Sequence, residues 1–404
     1  MLVIFICTYG LIAVQRVPVL RLDRPAAVWI GSTLLLATGL MTPLEAFRAI
    51  DGDVIVFLLG MMIMVAYLER SGFFEWIAAE LVEVAASTAQ LLALILVSSA
   101  LLSALFVNDT VCLLVTPIVL KAVARLRRDP VPYLIGIATA SNIGSALTIS
   151  GNPQNMYIGI QSGMPFLSFS VRMIVPVLIA LVVDFALLRV IFRREVNGQW
   201  LGRTWGLRKP LDVWLTVRAL AALLATLGMF SAGMSYPLAA MIGAALVFVV
   251  AWTPPREVYP FLDWTVLLFF AGLFVVTAAF SKAGYAQSVL DLSGAAFQTG
   301  RSVDALRFST VTTLLSNLVS NVPAVLLMQP FILHLGGGES WWTMLAMAST
   351  FGGNLTLIGS VANLIVAEKA HREGVHLGFW QYLAVGLPLT LVSVLAGTLW
   401  LVWL

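Results

Sequence analysis

The sequence predicts an all-α, polytopic membrane protein, and three observations support this fold class: the composition, the long apolar runs and an internal repeat. Of the 404 residues, 60% are hydrophobic and only 11% are charged, and the mean hydropathy is +0.97. An average soluble domain has about 25% charged residues. This chain therefore has too little polar surface to face water, and in lipid only helices and closed barrels satisfy the backbone.

The apolar runs favour helices over a barrel. Barrel strands are short and alternate in polarity, whereas the apolar runs here are long and continuous and approach the roughly 20 residues that a spanning helix needs. We expect about ten spanning helices. Their predicted bounds are 2–15, 26–46, 54–70, 131–162, 171–193, 212–231, 235–252, 263–281, 341–372 and 378–403.

Two further apolar segments, 88–127 and 303–335, are long enough to enter the membrane and return, and polar residues interrupt each one midway. We expect two re-entrant hairpins there, each preceded by a surface helix, at 72–86 and 283–300. No basic residue precedes the N-terminal apolar stretch and no cleavage site follows it. These features predict a first span rather than a signal peptide.

Three ordered blocks of the first half match blocks of the second half, at nearly constant offsets of 212, 213 and 208 residues. Matches in the same order along two halves indicate an internal repeat. The matched pairs are Asp51/Asp263, Phe57/Phe269, Gly60/Gly272, Gly72/Gly284, Ser103/Ser316, Asn108/Asn321, Pro117/Pro330, Gly144/Gly352, Thr148/Thr356, Gly151/Gly359 and Asn155/Asn363.

The positions of the basic residues predict the orientation. With the N-terminus outside, 18 of the 23 Lys and Arg residues fall on the cytoplasmic side, as the positive-inside rule requires. Both termini are then outside, in the inner membrane if the host is bacterial, and the two repeats have inverted topology. The predicted domains are N-terminal scaffold helices (1–50), a first repeat (51–193), a basic cytoplasmic linker (194–211), connecting scaffold helices (212–262) and a second, inverted repeat (263–404).

Four breaks in the apolar pattern predict the functional site. Two are hairpin tips, at 107–110 and 320–323, and two interrupt spanning helices, at 141–155 and 350–363. Each combines Asn, Ser or Thr with Gly or Pro. Unwound backbone exposes carbonyls that can ligate a cation, and a following half-helix offers free N–H groups to an anion. Small residues at helix contacts could explain any single position, but four symmetric clusters favour a binding site.

Two acids lie inside apolar segments. Asp109 stands at the first tip, where its repeat partner is Val322. An acid at membrane depth is costly and usually functional, so we expect Asp109 to carry a coupling proton or cation; a helix cap is the simpler alternative. Asp184 is the weaker candidate, for which a scaffold or interface role is expected.

These blocks resemble the ion transporter superfamily, which includes arsenite permeases, sodium–proton antiporters, citrate permeases and sodium-coupled dicarboxylate symporters. The stretch NDTVCLLVTPIVL (108–120) resembles the hairpin signature of the arsenite branch, and SNIGSALTISGNPQNMYIG (141–159) resembles the broken-helix signature of anion permeases. SNVPAVLLMQP (320–330) and FGGNLTLIGSVANLIV (351–366) resemble their repeat counterparts. The dicarboxylate branch has Ser-Asn-Thr at both tips, which neither tip has here.

The resemblance implies a homodimer with a scaffold domain and a mobile, elevator-type transport domain, and a site shared by both tips and both broken helices. The residues carried over by position are Asn108, Asp109, Thr110, Asn142, Gly144, Thr148, Gly151, Asn152, Asn155, Ser320, Asn321, Gly352, Asn354, Thr356, Gly359 and Asn363.

The leading functional prediction is a secondary transporter of a small anion or a metalloid hydroxide such as arsenite or antimonite, coupled to H⁺ or Na⁺. The alternatives are a sodium–proton antiporter and a sodium-coupled citrate or dicarboxylate symporter. A membrane enzyme is disfavoured because no nucleophile motif or metal motif occurs. We expect no cofactor, no metal beyond a transported Na⁺ and no nucleic-acid partner. A separate ATPase subunit stays open, because the chain has no GxxxxGK[ST] loop.

Overall fold

The architecture was analysed in a computed structural model, which describes residues 1–14, 22–197, 210–285, 287–288 and 300–404. The described residues form α-helices joined by short connections, as predicted, and no strand longer than a single bridge occurs among them. The helices of the first half are α1 (Leu2–Val14), α2 (Arg24–Ala37), α3 (Pro43–Ala49), α4 (Gly52–Arg70), α5 (Phe73–Val84), α6 (Thr88–Leu105), α7 (Asn108–Arg125), α8 (Val131–Ser145), α9 (Pro153–Ser162), α10 (Phe166–Ile191) and α11 (Arg193–Val196).

The second half repeats this succession of a long helix, a hairpin and a broken helix. Its described helices are α12 (Val213–Ser231), α13 (Tyr236–Val250), α14 (Pro255–Val258, continued by a 3₁₀ turn at Tyr259–Phe261), α15 (Trp264–Lys282), α16 (Arg301–Val319), α17 (Asn321–His334), α18 (Glu339–Gly352), α19 (Val361–Arg372) and α20 (Phe379–Trp403).

Among the described helices, six are long and apolar enough to cross a membrane, and α13 becomes a seventh if it is joined to the α14 segment across a 115° bend. The predicted spans at 131–162 and 341–372 are not among these six helices, because each consists of two shorter half-helices. The total of about ten spans therefore stays a prediction. The six are Gly52–Arg70, Thr88–Leu105, Phe166–Ile191, Val213–Ser231, Trp264–Lys282 and Phe379–Trp403.

The prediction of one continuous helix over 26–46 is wrong. Helix α2 ends at Ala37, the chain turns through Gly39 with φ of 69°, and a separate short helix begins at Pro43. Thr42 and Glu45 form a reciprocal capping box at that start. Since proline has no N–H to donate and glycine tolerates positive φ, this sequence favours a new helix start over continuation.

The two predicted hairpins are helix pairs, α6–α7 and α16–α17, and each packs against the broken helix that follows it. The predicted surface helix at 72–86 is α5, which buries Phe74, Ala78 and Val82. Most of its predicted counterpart at 283–300, and most of the basic linker at 194–211, lie outside the described residues. The bundle thus brings both tips and both helix breaks to one region.

Candidate functional site

A cavity of about 710 Å³ lies where both hairpin tips meet both broken helices. Within the described part of the chain, six helices begin at its wall. The residues at these starts are Arg24 of α2, Asn108 and Asp109 of α7, Pro153 and Gln154 of α9, Asp263 beside α15, Asn321 of α17, and Ser360 and Val361 of α19. Each start presents unpaired N–H groups and the positive end of a helix dipole.

The charged side chains of the wall have different roles. Asp23 and Asp263 accept hydrogen bonds from the backbone of their own helices, at Ala26 and Thr265, so they act as helix caps. The Arg24 guanidinium donates to the Ser320 hydroxyl at 3.2 Å. The wall therefore combines positive charge, from the starts of the six helices and Arg24, with the negative charge of its carboxylates.

Asp109 is not the cap of its helix. Helix α7 has Val107 at the N-cap position without a side-chain cap bond, and Asp109 lies in the first turn facing the cavity. Its carboxylate attracts Arg24 and repels Asp263. The capping alternative is therefore wrong, and Asp109 is a carboxylate in a position to meet a solute or a proton.

Asn142 is the centre of a buried amide network. Its Oδ1 accepts from the Asn108 side chain at 3.0 Å and from Ser360 Oγ at 3.1 Å. Its Nδ2 donates to Oδ1 of Asn354 at 2.8 Å and of Asn363 at 3.0 Å. This one amide joins the first tip to both broken helices, so these three elements form a single hydrogen-bonded unit.

Each break is closed by an asparagine that bonds the unwound backbone. Asn155 Nδ2 donates to the carbonyls of Ser145 and Thr148. Asn363 Nδ2 donates to those of Gly353 and Thr356. The acceptors in both halves are offset by the same 208 residues as the asparagines themselves. Buried backbone carbonyls need such partners, which explains why Asn recurs at this position of the repeat.

Glycines allow the hairpins to approach the breaks closely. A Cβ on Gly144 would lie 2.1 Å from the carbonyl oxygen of Ala100, and one on Gly151 would lie 2.9 Å from that of Ser103. In the second half, a Cβ on Gly352 would lie 3.0 Å from Thr313 atoms. Since Ala100 and Thr313 are repeat partners, the same helix contact is made twice, more tightly in the first half.

The second tip has a different construction. Ser320 has φ of 80° and ψ of 162°, a region that is essentially restricted to glycine. Asn321 accepts from Ser316 Oγ at 2.7 Å, and Ser316 also reaches the carbonyl of Ser349 at 2.6 Å. Asn317 donates to the carbonyl of Gly352 at 3.2 Å. This tip is tied mainly to its own half.

The predicted site residues divide into three groups. Asn108, Asp109, Ser320 and Asn321 line the cavity. Thr110 instead faces an adjoining cavity of about 50 Å³. The others lie behind the wall and hold the breaks together; they are Asn142, Gly144, Thr148, Gly151, Asn152, Asn155, Gly352, Asn354, Thr356, Gly359 and Asn363.

Sequence reasoning missed several wall residues. Arg24, one of the basic residues that predict the orientation, bonds Ser320 from a position 296 residues away. Gln154 follows the first break and donates to Thr350 at 3.2 Å. Glu368, His371 and His376 also line the cavity. Gln154 could have been found from its place directly after Gly-Asn-Pro, but the others have no local signal.

A hydrogen-bonded chain of side chains, here called the outer chain, connects α4, α9 and α17. Gln161 donates to Asp51 at 2.7 Å and accepts from Gln329 at 3.2 Å, and the Tyr157 hydroxyl donates to Gln329. In the predicted orientation these residues lie towards the outside. The outer chain therefore holds the half-helix after the first break against both the second hairpin and α4.

Comparisons with known proteins agree on a class of membrane transporters. The citrate transporter family model matches residues 9–352. An uncharacterised transporter of Mycobacterium tuberculosis is 33% identical and aligns with 99% of this chain and 97% of its own length. The silicon efflux transporter of Oryza sativa is 28% identical over 94% of this chain and 93% of its own. The crystal structure of the Alcanivorax borkumensis YdaH transporter has a TM-score of 0.60 at 16% identity, covering 100% of this chain and 96% of that one, which supports the fold.

Proposed function

Since this chain belongs to the citrate transporter family, we propose that it is a secondary active transporter of a small, oxygen-rich solute, with a metalloid hydroxide as the leading class and H⁺ as the coupling ion. Arsenite and orthosilicic acid are the test solutes. The rice relative is named for silicon efflux, and an uncharged hydroxide presents the donors and acceptors that amide, hydroxyl and backbone groups recognise.

The observation that carries this proposal is that six helix starts and Asp109, an acid that does not cap its helix, meet at the same cavity. The N–H groups at the helix starts can donate to solute oxygens. The Asp109 carboxylate can accept a hydrogen bond from a solute hydroxyl, whereas it would repel a solute that bears carboxylates. An uncharged metalloid hydroxide can therefore accept hydrogen bonds from the N–H groups and donate one to Asp109 at the same time.

Coupling is assigned to Asp109 in this proposal. A carboxyl that faces the solute can exchange its proton each time the cavity opens to the other side of the membrane, so that solute and proton movements are linked. We further propose that the chain works as a homodimer, that the unit formed by both tips and both breaks moves as one body, and that both termini face outside. The symmetric hydrogen bonds within that unit support movement as one body.

The first test is proton-driven transport of arsenite and orthosilicic acid in proteoliposomes, with the wild type and Asp109→Asn. We expect the variant to lose proton-driven transport, because an amide cannot exchange the coupled proton. The control is Asp304→Asn, which alters a buried acid that bonds the backbone N–H of Gly300 away from the cavity. Normal proton-driven transport by Asp109→Asn would rule out a coupling role for Asp109.

Citrate is the second candidate solute, because Arg24 and the helix starts could offset its negative charge. Arg24→Gln separates the two: it should abolish citrate transport and spare most transport of an uncharged hydroxide. Citrate movement driven by Na⁺ and indifferent to Asp109 would favour a sodium-coupled symporter. Cation-driven pH changes in vesicles without any added solute would instead indicate a sodium–proton antiporter.

A further inference from the structure

A second carboxyl lies inside the bundle, behind the cavity wall. Asp184 of α10 is fully buried. Its Oδ2 lies 2.7 Å from Thr139 Oγ1 of α8, and its Oδ1 has no hydrogen-bond partner among the described residues. An ionised, half-satisfied carboxylate is costly at such a position. The site therefore favours a bound proton in the state seen here.

The Thr139 hydroxyl makes this site sensitive to that proton. It lies 2.7 Å from Asp184 and 2.8 Å from the carbonyl of Ile135, but it has one hydrogen to donate. When Asp184 is protonated, the acid donates to Thr139 and Thr139 donates to Ile135. When Asp184 is ionised, the Thr139 hydrogen turns to the carboxylate and leaves Ile135.

The titratable surroundings of Asp184 contain no compensating cation. Tyr382 of α20 is close enough to interact electrostatically with Asp184, and Cys112 of α7 interacts in turn with Tyr382. The Tyr382 hydroxyl is buried without a partner among the described residues. No Lys, Arg or His of the described chain interacts with Asp184. Ionisation here has no fixed charge to balance it, so only a mobile cation can do so.

Asp184 is also connected to the solute site. The carbonyl of Thr139 accepts from Asn354 Nδ2 at 3.2 Å, and Asn354 Oδ1 accepts from Asn142. Helix α20 contacts the same break, since a Cβ on Gly386 would lie 2.3 Å from the carbonyl oxygen of Asn354. A movement of the unit formed by both tips and both breaks relative to α10 therefore changes the packing around Asp184.

We propose that Asp184 is a second proton-binding site of the transport cycle, a carboxyl that releases its proton to water when the unit formed by both tips and both breaks moves relative to α10 and regains it when that unit returns. The proposal rests on the proposed proton-coupled transport. It differs from the role of Asp109 because Asp184 never meets the solute. Asp184→Asn should therefore separate solute movement from proton coupling.

The transport test uses proteoliposomes with orthosilicic acid as the probe. Counterflow, which needs no net proton movement, should persist in Asp184→Asn. Proton-driven accumulation of the probe should be lost, and internal pyranine should report fewer protons moved. Asp304→Asn should match the wild type in both assays. Accumulation by Asp184→Asn equal to the wild type would overturn the proposal and leave Asp184 a permanently protonated packing group.

A second variant, which retains the acid, tests the proposal even if Asp184→Asn fails to fold. Thr139→Val removes the hydroxyl that stabilises the ionised carboxylate, so the pH profile of accumulation should move to higher pH while counterflow persists. An unchanged profile would contradict the proposal.

A measurement without solute separates this proposal from the proposed function. Infrared spectra of the purified protein should contain a protonated-carboxyl band that is absent in Asp184→Asn, persists in Asp109→Asn and disappears as the pH is raised through the range of about 5 to 9. Such a band supports proton binding even if the wild type fails to move orthosilicic acid. Absence of a titrating, Asp184-dependent band refutes the inference even if transport is proton-driven.

Discussion

The two hairpin tips occupy equivalent places in the repeat and differ in their chemistry. The first tip has Asn108 and Asp109. The Asn108 amide donates to Asn142 in the first broken helix, and Asn142 donates in turn to the second broken helix. The second tip has Asn321 and Val322, and its amide bonds Ser316 within the same hairpin. Both tips stand before a broken helix of their own half, whereas the titratable group and the bond to the central amide of Asn142 are present at the first tip only.

This difference indicates that the repeat preserves what the backbone needs and leaves the cavity side chains free to diverge. Asn155 and Asn363 bond matching carbonyls because every unwound segment must satisfy its backbone. No such requirement acts on Asp109 or Val322. Coupling can therefore be assigned to one half without loss of the shared frame.

The largest expected contrast between the halves is in the tolerance of a methyl group at the hairpin contact. Gly144→Ala should destabilise the protein by about 4 kcal/mol, because its Cβ would lie 2.1 Å from backbone of Ala100. Gly352→Ala should cost roughly 1 kcal/mol, since its nearest contact is 3.0 Å. Thermal unfolding in detergent checks both. Equal losses would mean that the halves pack alike.

A smaller contrast is expected at the network centre. Asn142→Ala leaves buried partners on three elements unpaired and should lower the free energy of unfolding by about 3 kcal/mol. Within the described residues its repeat partner Thr350 accepts from Asn152 and Gln154, so Thr350→Ala should cost about 1 kcal/mol. Chemical denaturation measures both. A greater loss in Thr350→Ala would move the centre of the network to the second half.

The smallest expected effect has the opposite sign. Ser320→Gly should raise the free energy of unfolding by about 1 kcal/mol, because glycine adopts the backbone geometry of the second tip without strain. It also removes the hydroxyl that Arg24 bonds, so any transport of citrate should fall, whereas transport of an uncharged metalloid hydroxide should be largely kept. The matched change at the first tip, Val107→Gly, relieves no strain because Val107 has φ of −62°, and it should not stabilise. A less stable Ser320→Gly protein would contradict the strain argument.

Sequence reasoning succeeded where the cause is local or averaged over many residues. Composition predicts the membrane class, and the Gly-Asn-Pro run before α9 predicts the first break because those residues cannot continue a helix. The error at 26–46 came from following hydrophobicity past Gly39 and Pro43. Local turn chemistry overrode the apolar pattern there.

The remaining features depend on contacts between distant segments. Nothing near Arg24 in sequence indicates that it bonds Ser320, and nothing near Asp184 identifies Thr139, 45 residues earlier, as its partner. The broken-helix asparagines were assigned to solute binding, yet most of them bond backbone behind the wall. The residue types indicated an unwound segment but not which face of it meets the cavity.

The outer chain has a consequence for how fast the protein can cycle. Its links from Tyr157 through Gln329 and Gln161 to Asp51 are a few polar hydrogen bonds rather than interlocked apolar packing. If both tips and both breaks move as one body, only the bond from Gln161 to Asp51 has to break. One such bond contributes about 1 kcal/mol net, so it reduces the population in which α9 has separated from α4 only about fivefold. A contact of this strength opens by thermal motion alone, so in the proposed transport cycle the outer chain would not limit the rate.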